Sequence, residues 1–244
     1  SLWRVQEEET IAAVSAFMRD KRIFIADGHH RYETALRYRD ACRARNLAHR
    51  GQEPYNFVPM YLTNLHDSGL VILPTHRILH DVAGFNPGQF ILELKKHFLV
   101  ETVRPPDELL RRLAAEVGNA FGLFVGGQED GYLLRLRDPE RLDELPELIR
   151  RLDVSVLHTA VLKGTLGLTE EQQEKKINLN YERDPWRAIR AVKEEGAQAA
   201  FIMNPTRIDQ VRAVAESGMV MPQKSTYFYP KLLSGLVAYS FGNE

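Results

Sequence analysis

The sequence contains little cysteine and no long apolar run. Its 244 residues include one cysteine, Cys42, which excludes an internal disulfide framework and a cysteine-rich metal site. No apolar run approaches the ~18 residues that cross a bilayer as a helix, so we expect no membrane-spanning segment. The amino-terminal residues show neither the basic nor the apolar region of a secretory signal, and we therefore expect a cytoplasmic protein.

An excess of charge of either sign is also missing. The 32 Lys and Arg residues nearly balance the 33 Asp and Glu residues, giving a net charge of −1. Nucleic-acid-binding domains and proteins that bind anionic membranes usually carry a basic surface. The balance therefore predicts neither nucleic acid nor membrane as a partner, and a small-molecule substrate is the expected ligand.

Several common catalytic and nucleotide-binding motifs are absent. There is no Gly-x-Ser-x-Gly elbow and no Gly-x-Gly-x-x-Gly dinucleotide motif. Lys224-Ser225-Thr226 has the ending of a P-loop, but residues 217–223 supply only one glycine, Gly218. The sequence thus excludes a Walker A site, although Lys224 and Ser225 remain candidates for binding an anion.

Apolar periodicity predicts a fold between the α/β and α+β classes, with helices packed on a mixed sheet. The last third alternates strands and helices, which implies a right-handed crossover if its two strands are parallel neighbours. Residues 85–138 are predicted to form a small inserted α-β-α-β-β subdomain. Residues 1–84 and 139–244 are predicted to form the main domain. Strands are predicted at 22–26, 57–62, 69–73, 99–103, 121–125, 132–136, 177–181 and 199–203. Helices are predicted near 7–19, 31–45, 90–98, 109–117, 148–163, 185–195 and 207–217, with a capping box at 169–172.

The most informative segment is the predicted turn from a strand into a helix at residues 27–31. Gly28 allows a sharp turn and a close approach of the backbone to a ligand. The free N–H groups and positive dipole of the helix start favour an anion. Arg31 adds a forked cationic donor suited to phosphate or carboxylate. Gly28 and Arg31 are therefore predicted to bind phosphate.

Acid–base groups surround this predicted phosphate site. Asp27 is a candidate base or Mg²⁺ ligand, and Glu33 is a second candidate base. His29 and His30 are predicted to assist catalysis. The simpler interpretation is that Asp27 caps the helix while the histidines bond to a loop. Four functional residue types within five positions favour a site.

Two further clusters are candidate ligand contacts. If helical, His76 and His80 would share a face and suit a transition metal, but lining a pocket or bonding to backbone is favoured. Asn204 and Thr206 follow a predicted strand, where capping by Thr206 is the simpler role. For the aromatic segment 227–229, packing in the core is favoured over binding a ring.

Several segments resemble one family of uncharacterised proteins. Asp27–Ala35 looks like the hallmark of the family called domain of unknown function 1015. The similarity extends through 60–64, 73–77, 201–206 and 221–231. Family members are longer, so the resemblance implies that this chain is the carboxyl-terminal portion of a longer protein. The family has no settled activity.

Gly28–Arg31 also resembles the nucleotide-phosphate motif of the ParB/sulfiredoxin superfamily. That group includes partition-protein nucleotide hydrolases, sulfinic-acid reductases and free-serine kinases. The reductases carry a nucleophilic cysteine where this chain has His29, and we find no helix-turn-helix module of the partition proteins. The kinase-like branch remains.

The resemblance implies a nucleotide-binding phosphotransferase or nucleotide hydrolase that acts on a small polar substrate, with ATP or ADP and Mg²⁺. Lys224 would neutralise developing charge. One alternative is a non-catalytic nucleotide or small-ligand sensor. Another is a metal-dependent hydrolase that uses His29, His30, His76 and His80.

Overall fold

The computed structural model describes residues 1–138, 142–175, 177–233 and 235–241. Its contacts divide the chain into two compact units, Ser1–Tyr61 with Ser234–Glu244, and Leu62–Leu233. These limits differ from the predicted ones. The predicted insertion at 85–138 supplies three strands of the main sheet, its carboxyl-terminal boundary falls outside the described residues, and its status as a subdomain stays a prediction.

The first unit is built on two helices, α1 (Glu8–Met18) and α2 (His29–Arg45). Tyr32, Leu36 and Cys42 are half-buried on one face of α2, as their helical spacing predicts. No described residue of this unit is fully buried or lies in a strand. The strand predicted at 22–26 is therefore wrong. An apolar run forms a strand only where another strand pairs with it.

The strands described in the second unit are β1 (Val71–Leu73), β2 (His76–Leu79), β3 (Phe98–Val103), β4 (Ala120–Val125), β5 (Gly131–Leu136), β6 (Leu179–Glu182), β7 (Ala199–Met203) and β8 (Tyr227–Tyr229). Six of them form a sheet in the order β3-β5-β4-β7-β2-β6. Its described strand pairs are all antiparallel. A separate two-stranded ladder joins β1 to β8.

Helices pack on the sheet, which confirms the predicted mixed α and β class. The predicted strand at 57–62 is missing, whereas the capping box at 169–172 is confirmed by reciprocal hydrogen bonds between Thr169 and Gln172. The helices are α3 (Pro87–Leu94), α4 (Pro106–Ala114), α5 (Glu147–Arg150), α6 (Asp153–Val156), a π-helix (Leu157–Lys163), α7 (Glu170–Lys175), α8 (Pro185–Lys193) and α9 (Ile208–Glu216). Among the described residues, no helix is long and apolar enough to cross a membrane.

The connection β6-α8-β7 joins strands that run in the same direction but are not neighbours. β2 lies between them, because Arg77 pairs with Tyr181 on one side and with Phe201 on the other. The condition for the predicted crossover between adjacent parallel strands is therefore not met. Arg77 consequently lies in an interior strand of the sheet.

Apolar cores cover both faces of the sheet. One core includes Phe121, Phe201 and the π-helix residues Leu157 and Val161. The other joins Phe124 and other strand residues to α4 and α8. Because both faces are covered, the interior strands place their polar side chains in buried surroundings.

Candidate functional site

The turn before α2 has the backbone geometry of an anion site. Gly28 is the N-cap residue and has φ +83°. Because glycine has no side chain, the N-cap residue itself does not occupy the N–H groups at the helix start. The first N–H groups of a helix have no intrahelical partner. The N–H of Tyr32 donates to the carbonyl of Gly28, so the helix is closed from its first turn. The N–H groups of residues 29–31 are the donors that this turn offers to an anion.

Arg31 folds back over the glycine. A Cβ at Gly28 would lie 2.8 Å from Arg31 Nη2, but this is the end of a flexible and exposed side chain, so the positive φ rather than the contact favours glycine. Arg31 Nη2 lies 4.0 Å from Asp27 Oδ2. The positive φ of Gly28 agrees with the predicted sharp turn, whereas the close approach of a ligand stays a prediction.

The predicted acid–base residues also lie close together. The rings of His29 and His30 are 4.2 Å apart between centroids. His30 Nδ1 is 3.7 Å from Glu33 Oε2, with these side chains 86% and 52% exposed. The N-cap residue of α2 is Gly28 rather than Asp27. Five candidate groups thus surround one exposed turn of the first unit.

In the second unit, three of the predicted ligand contacts border one small polar cavity of about 20 Å³. Asn204, Thr206 and Ser225 line it together with Arg77 and Asp153. The hydroxyl of Thr206 donates to the carbonyl of Ser225 at 2.7 Å. This bond joins the end of β7 to the segment before β8.

Arg77 is the buried residue that the sequence analysis missed. Its Nη2 donates to the carbonyl of Lys224 at 3.0 Å, and its Nη1 donates to the carbonyl of Thr75. Its Nε has no hydrogen-bond partner within the described residues. Burial lowers the pKa of Arg77 to about 10. The sequence signal for a buried charge was an arginine beside the apolar pair Ile78-Leu79, but Pro74 left the secondary structure of this segment unpredicted.

Lys224 and Asn204 take different positions around this cavity. Lys224 has φ +54° and an exposed side chain, while its carbonyl is held by Arg77. Asn204 donates to the carbonyl of Leu113 at 2.8 Å. The Asn204 amide and the Lys224 carbonyl therefore both make structural contacts, while the Lys224 side chain is exposed.

His76 and His80 do not share a helix face. His76 begins strand β2, and the imidazole Nδ1 accepts a hydrogen bond from the N–H of Met203 at 3.1 Å. Burial lowers the pKa of His76 to about 4, so its ring is neutral at pH 7. Four residues along a strand span about 13 Å, too far for one metal ion. Within the described part of the chain, no group of three His, Cys, Asp or Glu side chains could hold a metal.

Two further predictions concern the last third of the chain. Thr206 is not the cap of α9, because that helix begins at Ile208 and its N-cap residue, Arg207, donates its N–H to Gln210 Oε1. The aromatic segment forms β8, in which Phe228 is buried. The hydroxyl of Thr206 is instead committed to Ser225.

The chain belongs to the family described as "Protein of unknown function (DUF1015)", which matches residues 1–155. A search of curated proteins finds no match. Similar solved structures include a conserved hypothetical protein from Pyrococcus furiosus, at 17% identity and TM-score 0.42, covering 68% of this chain and 59% of that one.

Free serine kinase structures are also similar. The complex with AMP has 15% identity and TM-score 0.41, covering 68% of this chain and 56% of that one. A variant in complex with ADP has 14% identity and TM-score 0.42, covering 70% and 58%. The chain therefore spans less than two thirds of the length of these structures.

Proposed function

We propose that the chain is a nucleotide-binding phosphotransferase or nucleotide hydrolase that acts on a small polar substrate. The observation that carries the proposal is the turn at the start of α2, where the Arg31 guanidinium lies over Gly28 beside the free helix N–H groups. Backbone donors, a helix dipole and a forked cation together suit a phosphate group. The resemblance of Gly28–Arg31 to the ParB/sulfiredoxin nucleotide motif supports the kinase-like branch.

Phosphoryl transfer relies on positioning and on stabilisation of charge, and the side chains around the turn match these needs. Arg31 and the helix start hold the phosphate. Asp27 or Glu33 accepts a proton from the attacking hydroxyl. His30 lies beside Glu33 and orients that carboxylate, while His29 assists at the phosphate.

The side chains of this turn would supply few of the ligands of Mg²⁺. As is usual for enzymes that bind nucleotides, phosphates and water would supply most of them. Asp27 is the carboxylate that would hold the ion, because it directly precedes the helix start that is proposed to bind the phosphates. The ion would neutralise phosphate charge. ATP or ADP is the nucleotide that we propose.

The polar residues of the second unit are proposed as further ligand contacts. Asn204, Thr206 and Ser225 line the small cavity, and Lys224 presents an exposed ammonium next to it in sequence. Lys224 would neutralise charge on a phosphorylated ligand. His76 stays a proposed contact, although its Nδ1 is already bonded to backbone.

A non-catalytic nucleotide sensor is the second candidate. The observation that favours it is exposure, because His30 is 86% and Asp27 57% exposed. Groups that perform acid–base catalysis are usually partly desolvated, which tunes their pKa values. A binding module requires only the phosphate contacts of Gly28 and Arg31.

Turnover separates the two candidates. We expect Mg²⁺-dependent consumption of ATP or ADP with free serine as the first acceptor tested, followed by phosphate transfer or release. Asp27→Ala is expected to reduce the rate at least about 100-fold, as removal of a general base does. Asp20→Ala, at an exposed position of the same unit, is the matched control. Saturable nucleotide binding without turnover would establish the sensor.

A further inference from the structure

A second cavity, of about 410 Å³, lies within the second unit and has a different set of lining residues from the small cavity at Arg77. Its volume is that of a site for a small organic molecule. Its walls come from α5, α6, the π-helix, α7, β6 and the segment after α9. Among its polar lining residues are Ser155, His158, Lys163, Gln173, Tyr181 and Gln223.

Two of these side chains have buried polar atoms without a hydrogen-bond partner in the described residues. They are Ser155 Oγ and His158 Nε2, and Ser155 is only 4% exposed. Leaving a buried donor or acceptor unsatisfied costs about 1–3 kcal/mol. Ser155 and His158 are three residues apart across the junction of α6 and the π-helix, so they lie on the same helical face.

The backbone at this wall is unusual. Residues Leu157–Lys163 form a π-helix, and the turn ends with the Gly164 N–H bonded to the Thr159 carbonyl. π-Helical turns are rare and occur frequently at functional sites. Here the wider turn carries His158 and Thr159, which both face the cavity.

The most shielded side chains of the wall, Ser155, His158 and Gln173, are uncharged at pH 7. Burial, with the charge of Arg77, lowers the pKa of His158 to about 3, so its ring is neutral at pH 7. Gln173 is buried and donates its Nε2 to the carbonyl of Leu168, which leaves its amide oxygen as an acceptor. Lys163 Nζ and Glu170 Oε1 lie 3.7 Å apart, so their charges offset each other.

We propose that this cavity binds a small uncharged ligand with neighbouring hydroxyl groups, of the size of a pentose or a hexose. Hydroxyls can donate and accept, and they therefore satisfy both Ser155 Oγ and His158 Nε2 without adding an unpaired buried charge. Among the lining residues, the carboxylates of Glu144 and Glu170 outnumber the ammonium of Lys163, which disfavours an anion. The site lies in the second unit and does not depend on the proposed function.

The test is a titration of protein with ¹⁵N-labelled histidine, in which His158→Gln assigns the His158 signals. D-ribose and D-glucose are expected to move these signals saturably, and inorganic phosphate and acetate are not. Ser155→Ala is expected to weaken sugar binding about tenfold, the equivalent of one hydrogen bond. Ser68→Ala, at an exposed position, is the control.

Gln223 gives a second variant that does not depend on the buried helix, because it is exposed at the rim. Gln223→Ala is expected to weaken sugar binding without changing thermal unfolding. His158 signals that stay fixed with both sugars at tens of millimolar, or that move equally in Ser155→Ala, would overturn the proposal. A response to phosphate or acetate that exceeds the response to sugar would overturn it as well. Nucleotide binding at Gly28 is unaffected by any of these outcomes.

Discussion

Arg77 links segments of the second unit that are far apart in the sequence. Its guanidinium donates hydrogen bonds to the carbonyls of Thr75 and Lys224. Lys224 lies 147 positions after Arg77 in the sequence. It also lies over the ring of Tyr181, with 5.6 Å between Cζ and the ring centroid. These contacts fix the segment that carries Lys224 and Ser225 next to the small polar cavity.

Arg77→Lys tests this role. A lysine keeps the charge but has one ammonium in place of the fork, so it cannot bind both carbonyls with the same geometry. We expect the free energy of unfolding to fall by about 2 kcal/mol, because a buried acceptor loses its donor. Chemical denaturation measures the change. Arg187→Lys, at an exposed position on α8, should change stability by less than about 0.5 kcal/mol.

For single residues, the sequence predicted those properties that depend on residues nearby in the chain. Gly28 and Arg31 lie three positions apart, and their juxtaposition follows from a turn into a helix. The importance of Arg77 depends on its pairing with β6 and β7 and on its bond to Lys224, which no local pattern reveals. His76 likewise acquires its partner, the N–H of Met203, only in the folded sheet.

At the scale of elements, helix α4 packs closely on strand β4. An added Cβ at Gly122 would lie 2.5 Å from Leu109 Cδ2 and 3.2 Å from Ile202 Cβ. Leu109 is fully buried, and the surrounding core leaves it little room to move. Gly122 therefore permits the helix to pack directly against the strand.

Gly122→Ala is expected to destabilise the second unit by about 1–3 kcal/mol through overpacking. The matched control is Gly118→Ala, four residues earlier, where an added Cβ meets no atom within 4 Å. Equal unfolding midpoints for the two variants in urea would refute this account of the α4–β4 contact.

Periodicity predicted most elements because amphipathic faces are local properties. α1, α2, α8 and the strand β7 agree with their predicted ranges to within about two residues. Residues 22–26 are as apolar as a buried strand but have no pairing partner among the described strands. Strand pairing is a long-range property. For the same reason the sequence did not reveal that β6 and β7 both pair with β2 and not with each other.

At the scale of the whole molecule, one buried and two half-buried groups give stability a defined pH dependence. Burial lowers the pKa of His76 to about 4 and that of His158 to about 3, and it raises the pKa of Asp153 to about 6. Between about pH 4 and 6 the unfolded chain holds two imidazole protons, whereas the folded chain holds one carboxyl proton. These groups alone therefore lower the free energy of unfolding by about 1.4 kcal/mol for each unit that the pH falls.

His158→Gln isolates one of these contributions. Removing one proton taken up on unfolding should reduce the slope of unfolding free energy against pH by about 1.4 kcal/mol per unit between pH 4 and 6. Denaturation curves at five pH values measure it, and His66→Gln, at an exposed position, controls for replacing an imidazole by an amide. An unchanged slope in His158→Gln would show that this ring is protonated in the folded protein.

The division into units also belongs to this scale. The sequence predicted an insertion at 85–138, since its α-β-α-β-β pattern resembles a self-contained subdomain. In the fold, β4 pairs with β7 over five residues, from Phe121 with Met203 to Val125 with Ala199. Such a ladder joins segments that are about 80 residues apart, and single-sequence periodicity contains no information about it.

We propose above all that the Gly28 turn binds nucleotide phosphate. The most direct test of this claim is a calorimetric titration of the chain with ADP in the presence of Mg²⁺, compared with Arg31→Gln. Arg37→Gln, at an exposed position of the same helix, is the control. We predict saturable binding that Arg31→Gln weakens at least about tenfold, the equivalent of one charge-assisted hydrogen bond, and that Arg37→Gln leaves unchanged. Absence of binding to the parent chain, or equal affinity in Arg31→Gln, would contradict the claim.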